Sequence, residues 1–231
     1  MRPPLVLFDI DGTLLRTHGA GRAAMTEAGR HLFGVADLFG AFDFAGAVDS
    51  VIVRAALRAQ GLDPTPRRLG LFQATYLRAL RRRLAQVGGV RCPGVDEALH
   101  TLGSRAPIGL LTGNWRDGAE AKLQTVGLGG HFPPGFGGYG GDAADRSGLL
   151  PVALRRAARR GLRVDRVVVI GDTEADVRCA RQGHRTLGPG APTLITIGVR
   201  TGFASPGSLE QSQPDHLVDR LSASLIEELL A

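Results

Sequence analysis

Three short apolar runs constrain this chain more than any other feature. LVLF (5–8) ends at Asp9, IGLL (108–111) at Thr112, and VVVI (167–170) at Gly171-Asp172. Unbroken apolar runs of this length read as strands buried on both faces, hence parallel. A fourth run, LITIGV (194–199), has the same texture without the acid. Helical patterns separate the later runs, which implies βαβ units. The expected fold is α/β, a Rossmann-like doubly wound parallel sheet. Ligands of such sheets sit beyond the carboxyl ends of the strands. The oxygen-bearing ends of the three runs are therefore expected to converge on one site.

Residues 16–89 interrupt this scheme. VIVRAALRAQ and LFQATYLRAL carry apolar residues at helical spacing, and no strand pattern stands out between them. We read this stretch as an inserted all-helical cap domain over the active edge of the sheet. CPGV (92–95) marks the return to the core. The expected division is a catalytic core of 1–15 and 90–231 with a cap of 16–89.

DIDGT (9–13) is the most informative motif. Positions 9 and 11 face the same way at the end of a strand and Ile10 faces the other. Gly12 permits a sharp turn and Thr13 can hold it with its hydroxyl. A stabilised Asp-Gly turn explains Asp11-Gly12, but it does not explain Asp9 at the tip of a buried strand. GDTEAD (171–176) supplies a second pair, Asp172 at its strand end and Asp176 one helical turn on. A helix start accounts for Asp176 and Glu174. It does not account for two strands that both end in Asp. If those strands are neighbours, Asp9, Asp11 and Asp172 meet. Two like charges 4 Å apart repel by about 4 kcal/mol near a protein surface. A hard divalent cation relieves this, and Mg²⁺ suits carboxylates combined with a substrate phosphate. One carboxylate is then free to act as nucleophile.

DIDGT, Thr112 in LLTGN and GDTEAD, in this order over nearly the whole chain, resemble the haloacid dehalogenase superfamily, specifically its phosphatases with a helical cap. GAGR (19–22) and LLTGN are similar to the phosphoglycolate phosphatase-like branch. The resemblance implies that Asp9 attacks phosphorus to give an aspartyl phosphate. It implies that Asp11 protonates the leaving oxygen and then deprotonates water. Asp9, the Asp11 backbone carbonyl and Asp172 would hold Mg²⁺, with Asp176 in support. Thr112, with Gly12, Gly113 and Asn114, would hold the phosphoryl oxygens. The substrate would be a small phosphorylated metabolite. Rival readings are a phosphomutase on the same core and a phosphate-binding protein without turnover. A dehalogenase lacks an acid at position 11, and a phosphonatase needs a cap lysine that this chain does not have. AGAVDSVI (45–52) resembles the branch's substrate loop through Gly46 and Asp49. Ala47-Val48 stand where a basic residue and a Thr are common, so the substrate stays open.

The family requires a cation beside the nucleophile. Arg146, in ADRSGLLPVAL ahead of the helix leading to Asp172, occupies the expected place. Its rival is Lys122, the only lysine among 28 basic residues. A helix starting at Trp115 puts Lys122 roughly 10 Å along its axis, beyond comfortable reach. A start at Asp117, with Glu120 in a capping box, shortens this to about 7 Å. We place Arg146 ahead of Lys122 as the cation at Asp9, with Lys122 structural or supporting. Its survival against an arginine bias suggests that a guanidinium would not fit there.

The remaining features exclude more than they add. A net charge of +6 raises nucleic acid as a partner. Yet RRRLAQ and RRAARR lie in helical patterns that solvated faces explain, and 5% aromatic content builds no stacking platform. No nucleic-acid partner is expected. GFGGYG (135–140) fits G-x-G-x-x-G but follows Pro133-Pro134 rather than a strand, so a dinucleotide is not expected. The histidines never fall at metal-ligand spacing. Cys92 and Cys179 form no framework, no stretch reads as a signal peptide, and no apolar run spans a bilayer. A cytoplasmic protein without a membrane partner is the expectation.

Overall fold

The computed structural model describes residues 2–40 and 42–231. The first elements are β1 (Leu5–Phe8), β2 (Leu15–Arg16), α1 (Ala20–Phe33), α2 (Asp49–Ala59), α3 (Pro66–Val87) and β3 (Val90–Arg91). Then follow α4 (Val95–Leu102), β4 (Ile108–Leu111), α5 (Arg116–Thr125), β5 (Gly137–Gly138), α6 (Leu149–Arg159) and β6 (Arg166–Gly171). The chain closes with α7 (Glu174–Arg185), β7 (Thr193–Val199), α8 (Ser208–Gln211), β8 (His216–Val218) and α9 (Ala223–Leu230).

Six strands form one parallel sheet in the order β5-β4-β1-β6-β7-β8. β1 is thus central, with the Thr112 strand on one side and the Asp172 strand on the other. The pleat divides the apolar runs between two cores. Val6, Phe8, Val168 and Ile170 pack with α4, α5 and α9. Leu5, Leu7, Val167 and Val169 pack with α6 and α7. Every residue of β1 is buried, which is why its sequence shows no alternation.

The helical insert leaves and rejoins the core through an antiparallel ribbon of β2 and β3, with Leu15 opposite Arg91 and Arg16 opposite Val90. Between them, α1, α2 and α3 enclose an apolar cluster of their own. Its centre is aromatic: Phe72 lies 5.9 Å from Phe39 and 6.5 Å from Phe33, ring to ring. Two core residues, Trp115 and Ala121, also belong to it. The helical insert therefore packs on α5, not on solvent. α3 starts on a Thr65 side-chain cap followed by Pro66, the preferred arrangement for a first helical turn.

GFGGYG is an edge strand. Gly137-Gly138 form β5 beside β4, and the run continues into a loop. β5, β8 and α9 were not legible in the sequence, because two- and three-residue strands and one short helix carry too little periodicity.

Phe72 is fully buried between the insert and Trp115. Phe72→Ala is expected to lower unfolding stability by about 3–5 kcal/mol, measurable by denaturant titration.

Candidate active site

The site begins where three strands end. Asp9 follows β1, and its N–H donates to the Ile170 carbonyl of β6 at 2.9 Å. That bond fixes Asp9 beside Asp172, which follows β6. Asp176 lies in the first turn of α7, its Oδ2 accepting from the Thr173 N–H (3.0 Å) and hydroxyl (2.7 Å). Asp9, Asp172 and Asp176 are all buried, and each offers an oxygen within 4.8 Å of the others. Burial first, then the Asp176 carboxylate, pushes the Asp9 pKa well above the ordinary range. The same two causes lift Asp172 to about 7, although the Phe203 N–H and the Thr13 hydroxyl donate to it at 2.7 and 3.3 Å. Such a set of hard, crowded oxygens fits a divalent cation.

Gly12 departs from its expected role in holding phosphate. Its φ is +86°, and its N–H donates to Leu15 C=O at 2.8 Å. A Cβ there would collide with the Asp172 carboxylate. Gly12 makes room for Asp172 and has no free donor for an anion.

Two buried cations answer the acids, and each has its own partner. Arg146 Nη2 donates to Asp176 Oδ1 and lies 3.4 Å from Asp9 Oδ1. Its Nη1 donates to the Gly46 and Ala47 carbonyls at 2.8 and 3.3 Å. Lys122 donates to Asp11 Oδ2 at 2.5 Å and to Asn114 Oδ1 at 2.7 Å, with only 5% of its side chain exposed. Of the two helix starts weighed, the one at Trp115 is found, but the conclusion that it puts Lys122 beyond comfortable reach does not hold. α5 starts after Trp115, without a capping box at Asp117 and Glu120, yet the long side chain leans back toward the N-terminus and spans the distance. Gly21 of α1 covers the ammonium closely enough that a Cβ there would sit 3.4 Å from Nζ.

The Asp11 side chain accordingly stands apart from the carboxylate cluster. Asn114 completes its surroundings, donating to Asp11 Oδ2 at 2.8 Å and to Thr112 Oγ1 at 2.9 Å. Thr112 is fully buried at the end of β4 and anchored by its N–H to Gly138 C=O at 3.0 Å. The Gly113 N–H has no partner among the described residues, and Gly113 lines a cavity of about 330 Å³. Asp9, Asp11, Asn114, Lys122 and Arg146 also line it.

A family model described as haloacid dehalogenase-like hydrolase matches residues 3–184. The chain belongs to that family. Within it the chain is a phosphoglycolate phosphatase-like phosphatase. It is 30% identical over 222 residues to a phosphoglycolate phosphatase of Synechococcus elongatus, covering 93% of this chain and 92% of the relative. The fold is shared with a predicted phosphatase from Clostridium acetobutylicum (TM-score 0.69, 19% identity, 100% and 99% of the chains). It is also shared with CbbY from Rhodobacter sphaeroides, solved in complex with phosphate (TM-score 0.64, 18% identity, 94% of each chain).

The loop after β7, which the motifs do not include, also holds the site. Thr201 Oγ1 donates to Gly12 C=O at 2.7 Å, and Phe203 N–H holds Asp172. RTGF (200–203) lies beyond the carboxyl end of the fourth apolar run, so the strand-end rule itself pointed there. No helix of the described residues is long and apolar enough to cross a membrane.

The raised Asp172 pKa carries a stability cost of definite sign. Folding raises this pKa above its unfolded value near 4, so the folded state binds the proton more tightly. Stability is lost as pH rises toward about 7. Asp172→Asn is expected to raise the Tm of metal-free protein at pH 8, by roughly 2–4 °C per kcal/mol relieved, and to change it little at pH 4. Thermal melts at both pH values without divalent cations check this.

Proposed function

We propose that the chain is a Mg²⁺-dependent phosphomonoesterase that hydrolyses a small, phosphoglycolate-like metabolite through an aspartyl phosphate. One observation carries this reading. Asp9 and Asp11 share one cavity wall but have opposite surroundings, crowded carboxylates for Asp9 and a lysine–asparagine pair for Asp11. Two carboxylates in distinct environments are what separate nucleophilic and acid–base roles require.

Asp9 Oδ2 makes no protein hydrogen bond among the described residues, while Oδ1 faces Arg146. Oδ2 is therefore the attacking atom. It bonds to phosphorus as the ester oxygen departs, and that oxygen takes a proton from Asp11. Asp11 Oδ1 is free of protein partners, so proton transfer occurs there while Lys122 and Asn114 hold Oδ2. In the second half Asp11 takes the proton back from water, whose oxygen attacks phosphorus and releases Asp9 and phosphate. Thr112 and the Gly113 N–H would hold the phosphoryl oxygens. Mg²⁺, held by Asp9 and Asp172 with the Asp11 carbonyl and with Asp176 in support, would neutralise charge between carboxylates and phosphate. Arg146 is the cation beside Asp9, and Lys122 orients Asp11. Residues 16–89 form the cap that closes over this site.

The far end of the cavity supports an anionic substrate tail. Arg22 of α1 lies 5.0 Å over the Phe44 ring and forms no ion pair among the described residues. It is the lining cation not already committed to a carboxylate.

Hydrolysis of p-nitrophenyl phosphate with Mg²⁺ against EDTA tests the class, and a screen of phosphorylated metabolites, phosphoglycolate included, tests the substrate. Asp9→Asn is expected to abolish phosphate release while the protein stays folded. Asp11→Asn is expected to reduce steady-state turnover by about 10² to 10⁴-fold; a loss below about tenfold removes Asp11 from the acid–base role. Lys122→Arg, which keeps the charge, is expected to lose about tenfold or more in kcat, because the longer fork displaces Asp11.

A further inference from the structure

The segment that resembles a substrate loop, Gly46–Asp49, does not use its side chains as such a loop would. It is docked on the core largely through its backbone. Arg146 holds the Gly46 and Ala47 carbonyls at 2.8 and 3.3 Å. Asp49 N–H donates to Gly113 C=O at 2.8 Å, and Ser50 Oγ donates to Gly140 C=O. Gly113 lies so close to Ala47 that a Cβ on it would overlap the Ala47 carbonyl oxygen. A basic residue and a threonine at 47–48 are unnecessary for docking of this kind.

One contact in this dock is different in kind. Asp49 Oδ2 accepts from the Trp115 N–H at 2.8 Å. Trp115 ends the Thr112–Trp115 segment, which carries Gly113 and Asn114. Its side chain, 5% exposed, sits inside the apolar cluster of the helical insert, 5.5 Å from Tyr76 and 6.3 Å from Phe72. A residue of the core loop is thus gripped twice by the insert, by backbone through Asp49 and by side chain through α3. Asn114, immediately before it, bridges Asp11, Thr112 and Lys122.

We propose that Asp49 and Trp115 form one latch that sets the Gly113–Asn114 loop only when the helical insert is seated, which makes Asp49 a positioning residue for the reaction. Lifting the insert removes the partners of Trp115 N–H and Gly113 C=O together, so the anion-binding loop and the cover over it assemble in one event. The loop's role toward phosphate rests on the phosphatase reading; the latch itself does not.

Trp115 is the single tryptophan of the chain, so its fluorescence reports the latch directly. The test compares wild type, Asp49→Ala and Asp49→Asn. Asparagine keeps an oxygen for the Trp115 N–H; alanine does not. Circular dichroism and melting temperature establish that each is folded. Asp49→Ala is expected to raise acrylamide quenching of Trp115. It is also expected to weaken inorganic phosphate binding in the presence of Mg²⁺ by about tenfold or more. Its kcat is expected to fall by up to the order of 10²-fold, with a smaller change in KM. Asp49→Asn is expected to stay near wild type in all three. Quenching and phosphate affinity within twofold of wild type in Asp49→Ala overturn the latch. Equal damage in Asp49→Asn also overturns it, because the charge would then be what matters. A wild type that hydrolyses no phosphate ester, with the quenching contrast intact, sinks the phosphatase reading and leaves the latch standing.

Discussion

The structure depends on a concentration of negative charge that a protein interior tolerates poorly. Asp9, Asp172 and Asp176 share one buried cluster, Asp11 stands close enough to add to its field, and buried Asp49 in turn feels Asp11. Against these five carboxylates the protein sets two buried cations, Arg146 and Lys122. The imbalance shows in the raised pKa values of Asp9 and Asp172, and in Asp49, which burial pushes to about 6. A site of this kind favours a cation and an anionic ligand that carries one, and it is most stable when both are present. The strain also explains the density of fixed donors around it. Thr13, Phe203 and Thr173 each commit a donor to an acid that would otherwise be unsatisfied.

The two cations are not alternatives. Arg146 is a fork with two carboxylates on one nitrogen and two backbone carbonyls on the other, a geometry that a planar, multidentate group serves well. Lys122 is a point charge in a narrow space between Asp11, Asn114 and Gly21. Every other Lys or Arg position of the chain is arginine, and here a compact ammonium, not a planar fork, meets Asp11 and Asn114. Arg146 lies beside Asp9 and Lys122 beside Asp11, so both residues have a place at the site. Distance along the helix axis made the reach of Lys122 depend on where α5 starts; the structure shows that the side chain reaches Asp11 even from a start after Trp115.

The helical insert contributes contacts to the site itself. Its apolar cluster takes in Trp115 and Ala121 from the core, and its Gly46–Asp49 segment interlocks with the loop that follows β4. A substitution deep in the insert, far from any carboxylate, can therefore reach the chemistry through Trp115.

The sequence by itself determined the parallel sheet, the helical insert and the family. Buried strands need unbroken apolar runs, and an acid at the end of such a run has no packing reason to exist. Those signals are local in the chain and survive without coordinates. The reach of Lys122 to Asp11, the commitment of Gly12 to Asp172, the part played by Thr201 and Phe203, and the grip of Asp49 on Trp115 were decided only by tertiary structure. Each joins residues between 31 and 189 positions apart. Each also turns on where one side chain points and how much room its neighbour leaves, which no periodicity in the sequence encodes.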